Sequence, residues 1–254
     1  MSLRSRVSAR LYAAKVRAHI ARRKREGRPL VRIEPDGRIH VTAEDMPEFR
    51  ARMTPIHDEW AEVLNDIAGT HAFSLAGLAL AREHYMPLVE NAPDPERDLI
   101  WVQGFSPRDP DKFGYMKWKI KTIPERLAQD GPVAQRIGQQ WAVLVHTQWE
   151  HNFRPRFAEA AYIEKNDVKE PLMADIGRMR NDIIHHHGKA TKKNCGRCEV
   201  LKWFQPGDTI LITNKEVAEF MQQVGAITML GDGRGVPILG LEDRYNPDYL
   251  PEDD

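Results

Sequence analysis

The stretch Lys169 to Gly188, KEPLMADIGRMRNDIIHHHG, decides how the chain is read. Pro171 stands where a helix tolerates a residue without an N–H, and Gly188 stands where a left-handed closing residue belongs. Between them Ile176, Met179 and Ile183 recur at helical spacing, which is an apolar stripe facing a core. The remaining face is polar. Its last two turns carry Arg178, Arg180, Asn181, Asp182 and the consecutive His185, His186 and His187. Asn181 and His185, four apart, share a face. Arg180 and His185, five apart, differ by about 140° around the axis and about 7.5 Å along it, so both reach a groove near the helix end.

Working outward, VAQRIGQQWAVLVHTQWEHNF (Val133 to Phe153) is a second helix, with Ile137, Trp141, Leu144, Val145 and Gln148 on one side. Glu150 precedes Arg154 by four residues, the favourable order for a helical ion pair, and Pro155 marks a kink. A long helical stretch is expected from about Pro55 to Glu90, broken near Gly69, and a helix already begins in TAEDMPEFRARM. In PDKFGYMKWKIKTIPERLAQDG, Phe113, Met116, Ile120, Ile123 and Leu127 make a helical stripe with the lysines on its wet face. This is preferred to a stacking platform for single-stranded nucleic acid. Thr122 to Glu125 has the pattern of a capping box that restarts the helix. VRIEPDGRIHV alternates about Asp36-Gly37 and reads as a hairpin. EVLKWFQPGDTILITN reads as two short strands around a turn, and KEVAEFMQQVGAI returns to helix.

These segments predict a mainly α protein: an antiparallel helical bundle with a small N-terminal β-hairpin and a C-terminal β-turn-α appendage. The expected organisation is a basic amphipathic arm over 1–28, the hairpin and a connecting helix over 29–54, the helical domain with its appendage over 55–230, and an acidic loop and tail over 231–254. The 254 residues suffice for a sizeable core, and the composition, 41% hydrophobic and 29% charged, is that of an ordinary soluble chain. The formal net charge of zero excludes a global field that would gather nucleic acid or membrane. The charge is nevertheless polarised. Residues 1–28 hold ten Lys or Arg against Glu26 alone, and LEDRYNPDYLPEDD holds six acids against Arg244.

Arg22, Arg23, Lys24 and Arg25 in the head are candidate RNA contacts. The other readings are a membrane-surface arm and a terminal helix packed on the body. No stretch is long and apolar enough to span a bilayer, no apolar secretory core is present, and the expected location is the cytoplasm. The head's Arg-, Ser- and Ala-rich composition also resembles an organelle transit peptide.

Cys195 and Cys198 form one CxxC, which no disulfide scaffold requires. With His187 they are a possible zinc set if the helix unwinds at Gly188; the leading expectation is no metal and no cofactor.

Arg180, four intervening residues beginning with Asn181, and then His185 match the R-x(4–6)-H motif of HEPN domains, in the form with a polar residue after the arginine. The order QWEHNFRPRFAEA, MADIGRMRNDIIHHHGKAT, LKWFQPGDTILIT resembles bacterial HEPN-like proteins over about Trp141 to Thr213. The resemblance implies a homodimeric bundle in which two motifs meet in one cleft and cut RNA without a metal. His185 would transfer protons, Arg180 would stabilise the phosphate, and Asn181 would orient either. Asp182, His186 and His187 are supporting candidates. A toxin or phage-defence role, with an antitoxin or nucleotidyltransferase partner, is implied by the resemblance alone. The alternative is a non-catalytic HEPN-like dimeric module that binds RNA or protein. Arg180 paired with Asp175 or Asp182, and histidines serving only the negative end of the helix dipole, would fit that alternative.

Overall fold

The computed structural model describes residues 32–33, 39–41, 45–97, 99–102, 105–106, 109–113 and 116–230. The basic arm, the Asp36-Gly37 turn, Thr42 and the acidic tail lie outside them. The described residues are mainly helical. In chain order the elements are β1 (Arg32–Ile33), β2 (Ile39–His40), α1 (Met46–Glu90), β3 (Leu99–Val102), β4 (Phe105–Ser106), β5 (Asp109–Phe113), β6 (Met116–Lys119), α2 (Pro132–Gln148), α3 (Arg154–Ala161), α4 (Pro171–His185) and α5 (Asn214–Leu230). β1 and β2 pair antiparallel over two residues each.

Two expectations along the first half are corrected. α1 is one helix from Met46 through Pro55 and Gly69 to Glu90. A helical glycine costs about 1 kcal/mol against alanine, and the buried Leu64, Ile67 and His71 anchor the turns on either side of Gly69. In the stripe assigned from Phe113 to Ile120, Phe113 ends β5, Met116 opens β6, and Ile120 begins a 3-10 turn. β6 pairs antiparallel with β3, Ile100 opposite Trp118, and β4 pairs with β5 between them. YMKWKIK alternates with period two, and that period prevails over the weaker helical one. Trp118 is half-buried beneath the Arg126 guanidinium, 5.0 Å from its ring centroid. The helix does restart, at Ile123–Arg126, but Thr122 makes no side-chain cap; its hydroxyl donates back to the Lys119 carbonyl.

A working capping box stands at the start of α5. Glu216 accepts from the Thr213 N–H at 2.9 Å, and the Thr213 hydroxyl takes the Lys215 N–H at 3.2 Å. The expected strands before it are irregular. Their one bridge pairs Thr209 with Lys189, and the Pro206-Gly207 turn closes with the Gln205 N–H on the Asp208 carboxylate.

The chain forms two compact units. One draws its described residues from within Met1–Glu62, Thr147–Ala174 and Gln222–Asp254. Its core is aromatic: Trp60 lies 5.8 Å from Trp149 and edge-on to Phe157, ring centroid to ring centroid. Arg154 bonds Glu150 at 2.6 Å, as their spacing requires. Between α2 and α3 the residues Trp149–Phe153 form one wide π turn, with the Arg154 N–H on the Trp149 carbonyl. Pro155 follows, and its missing N–H accounts for the widening. At the end of α3 Tyr162 takes a left-handed φ of 60°. Arg52 holds it there, donating to the Tyr162 hydroxyl and to the Glu159 and Ala160 carbonyls, where a cation meets the negative helix end.

The second unit comprises Val63–His146 and Asp175–Met221. Trp141 packs edge-on to Phe220 with Val145, Ile176 and Met179 buried around it. Leu144, expected on the buried side of α2, is 42% exposed; the inward positions are Ala134, Gly138, Trp141, Ala142 and Val145.

His57 in the first unit is buried against Trp60 and Phe157, and neither ring nitrogen has a hydrogen-bond partner. Burial lowers its pKa from 6.5 to about 4. The folded form therefore holds a neutral imidazole where the unfolded chain would take a proton. Stability is complete above pH 6.5 and is lost as pH falls toward 4, by roughly 3 kcal/mol across that window. Thermal melts of wild type and His57→Phe between pH 7.5 and 4.5 should show the wild-type Tm falling more steeply. Parallel curves would mean that His57 does not control the acid limb.

Candidate functional site

α4 starts on a buried side chain. The Glu170 carboxylate accepts the Leu172 N–H at 3.3 Å, and the Glu170 carbonyl takes the first helical bond from Ala174. The helix ends at His185. His187 and Gly188 then adopt left-handed φ of 53° and 73°, and the Asp182 carbonyl collects the N–H of both His186 and Gly188. A Cβ at Gly188 would stand 2.2 Å from the flexible end of Gln139, which can move aside, so it is the left-handed backbone that favours glycine there.

The inward face of α4 is not purely apolar. Asp175 and Asp182 are both fully buried on it. Asp182 accepts the Thr191 N–H at 2.7 Å, the Thr191 hydroxyl at 2.8 Å, Asn194 Nδ2 at 2.6 Å and the Cys195 N–H at 3.2 Å. Asp175 accepts the N–H of Glu199, Val200 and Leu201 at 2.7 to 3.1 Å. Seven residues apart, the two carboxylates lie about 10 Å apart along the axis. They hold the loop that returns beside the helix. Burial acts to raise the Asp182 carboxyl, but the bonds from Asn194, Thr191 and Cys195 outweigh it and set its pKa below the ordinary 3.8.

This arrangement places the residues singled out on and just after α4. Asp182 is neither solvated nor turned to the histidines; it organises the loop. Asp175 is bonded by Arg178 Nη1 at 2.5 Å, and Arg178 reaches Glu199 at 3.2 Å as well. Arg180 therefore pairs with neither aspartate. It is half-buried, makes no ion pair among the described residues, and donates from Nη1 to Asn181 Oδ1 at 3.1 Å. His185, His186 and His187 are exposed. Ile183 is only partly covered, while Ile176 and Met179 are fully buried. Arg22, Arg23, Lys24 and Arg25 lie outside the described residues.

Cys195 and Cys198 are free and buried. The Cys198 side chain, burial and Asp182 together push the Cys195 thiol far up. Among the described residues no three His, Cys, Asp or Glu side chains gather as a metal set, and His187 does not join the two thiols.

His146 was not singled out in the sequence. Its ring lies against Gly177, where an added Cβ would come within 2.8 Å of Nε2. Gly177 precedes Arg180 and Asn181 by three and four residues, so His146 meets α4 on the face of that pair. Gly177 in a helix interior was the available signal. A groove of about 790 Å³, lined by Leu75, Ala79, Arg82 and Met86 of α1 with Leu127 and Asn214, contains none of these residues.

Comparison with protein families, with curated proteins and with solved structures finds no match to this chain.

Asp182→Asn keeps the size of the side chain but turns a donor toward the loop's donors. The expected loss is about 2–3 kcal/mol at pH 7, or a Tm lower by roughly 5–10 °C. Because the folded pKa is depressed, the wild-type advantage is present above pH 3.8 and disappears as pH falls through the folded value. Denaturant titrations at pH 7 and pH 3 measure both; equal stability at pH 7 would remove Asp182 as the anchor of the loop.

Proposed function

We propose that the chain is a HEPN-like helical protein that cuts RNA at a site shared between two copies. The observation that carries this reading is the state of Arg180. Its neighbours Asp175 and Asp182 are bonded elsewhere, so its guanidinium makes no ion pair among the described residues, and the exposed His185 follows five residues on along the same helix. A guanidinium can grip two phosphate oxygens as charge builds on them. Imidazole titrates near neutral pH and suits proton transfer.

In the proposed reaction the ribose 2′-oxygen attacks the adjacent phosphorus and gives its proton to one imidazole. The bond from phosphorus to the 5′-oxygen breaks, and a second imidazole protonates the leaving oxygen. The products are a 2′,3′-cyclic phosphate and a 5′-hydroxyl. His185 of each copy supplies one proton-transfer group, which is the reason for a homodimer; Asn181 orients the Arg180 guanidinium. His186 and His187 add positive charge when protonated. A role in toxicity or phage defence, with an antitoxin or nucleotidyltransferase partner, remains part of this reading through the resemblance alone.

One observation favours a second reading, a non-catalytic dimeric module that binds RNA or protein. The His185 imidazole makes no hydrogen bond among the described residues, so none fixes its ring. Incubating a mixed RNA with wild type, His185→Ala and Arg180→Ala in EDTA separates the readings. Cleavage with cyclic-phosphate ends, reduced about 100-fold or more in each variant, is the expected result. Intact RNA after incubation with a folded wild-type dimer would favour the binding module.

A further inference from the structure

The loop held by Asp175 and Asp182 is strongly basic on its outer side. Lys192, Lys193, Arg197 and Lys202 are all exposed, and none makes an ion pair among the described residues. The acids nearby offset them only in part, the exposed Asp208 beside Ala190 among them. Asp175 and Asp182 are fully buried and filled with donors from the loop backbone, and Glu199 is held by Arg178. The anchoring uses backbone N–H groups, Thr191 and Asn194, and so spends none of the four cations. The loop thus carries four exposed cations, the first of them four residues after Gly188, just beyond the end of the histidine helix. A short strip of cations on an ordered backbone suits a polyanion with regularly spaced charges.

We propose that Lys192, Lys193, Arg197 and Lys202 form the phosphate-tracking surface for single-stranded RNA, leading the strand to the end of α4. This inference rests on the reading of RNA as substrate, but not on catalysis. Each cation releases counterions from at most one phosphate. Four of them contribute a slope of about −3 to the logarithm of the binding constant against the logarithm of salt concentration, at about −0.7 per contact on single strands.

The test is binding of a fluorescent 20-nucleotide oligouridine from 50 to 300 mM salt, with His185→Ala as the background so that the strand stays intact. The comparison is the same protein with Lys192, Lys193, Arg197 and Lys202 all changed to Gln. Its Tm should match the parent because all four side chains are exposed. The expected result is Kd weakened at least about 10-fold at 100 mM salt and a slope flattened by about 3. Unchanged Kd and slope overturn the inference, as does loop-dependent binding to phosphatidylserine vesicles without binding to RNA. Loop-dependent RNA binding by a wild type that never cleaves supports this inference while removing the catalytic reading. Cleavage that persists with unchanged binding does the reverse.

Discussion

Two buried carboxylates on one helix face carry the architecture around the candidate site. A buried aspartate is costly unless its lone pairs are filled, and an irregular loop is costly unless its N–H groups find acceptors. Asp175 and Asp182 meet both needs together. Residues 191 to 201 have no strand ladder; their backbone donors converge on two side chains instead. The spacing of seven returns both carboxylates to the same face, so the loop lies along the helix. The buried CxxC occurs where it does because this loop folds back against α4 between the two anchors.

The same division of acids decides which arginine is available. Arg178 and Arg180 are two residues apart and project to different sides of α4. Arg178 meets Asp175 and Glu199, whereas Arg180 meets the neutral Asn181. Charge that would be neutralised on an ordinary helix surface is retained because the nearest aspartates are buried on the other side. The exposed lysines beyond Gly188 extend this excess along the loop. A zero net charge for the whole chain therefore coexists with a locally basic surface.

Much of the helical framework was legible because its signals are local. Pro171 and Gly188 bracket α4 as their backbone preferences require, and Glu150 pairs with Arg154 one turn on. The failures share one cause: a local pattern met a tertiary partner. Five apolar residues from Phe113 to Leu127 fit a 3.6 period, but pairing with β3 sets the period of two in β6. Gly69 did not break α1 because buried neighbours hold the helix on both sides. The segment before α5 has strand composition, yet its groups bond to Gly188, Ala190 and Gln139 instead of to a strand.

By itself the sequence determined where α4 stops and which ionisable groups crowd its end, because capping chemistry and a period of 3.6 depend on near neighbours. It also determined that Arg180, Asn181 and His185 belong to one helix end. Tertiary structure alone decided which acids are buried and which arginine remains uncompensated. The donors that fill Asp182 lie nine to thirteen residues downstream, and the backbone N–H groups that bond Asp175 lie twenty-four to twenty-six downstream. At those separations the chain closes loops whose geometry no local propensity specifies, so the partners of both groups and the depressed pKa of Asp182 follow only from the fold.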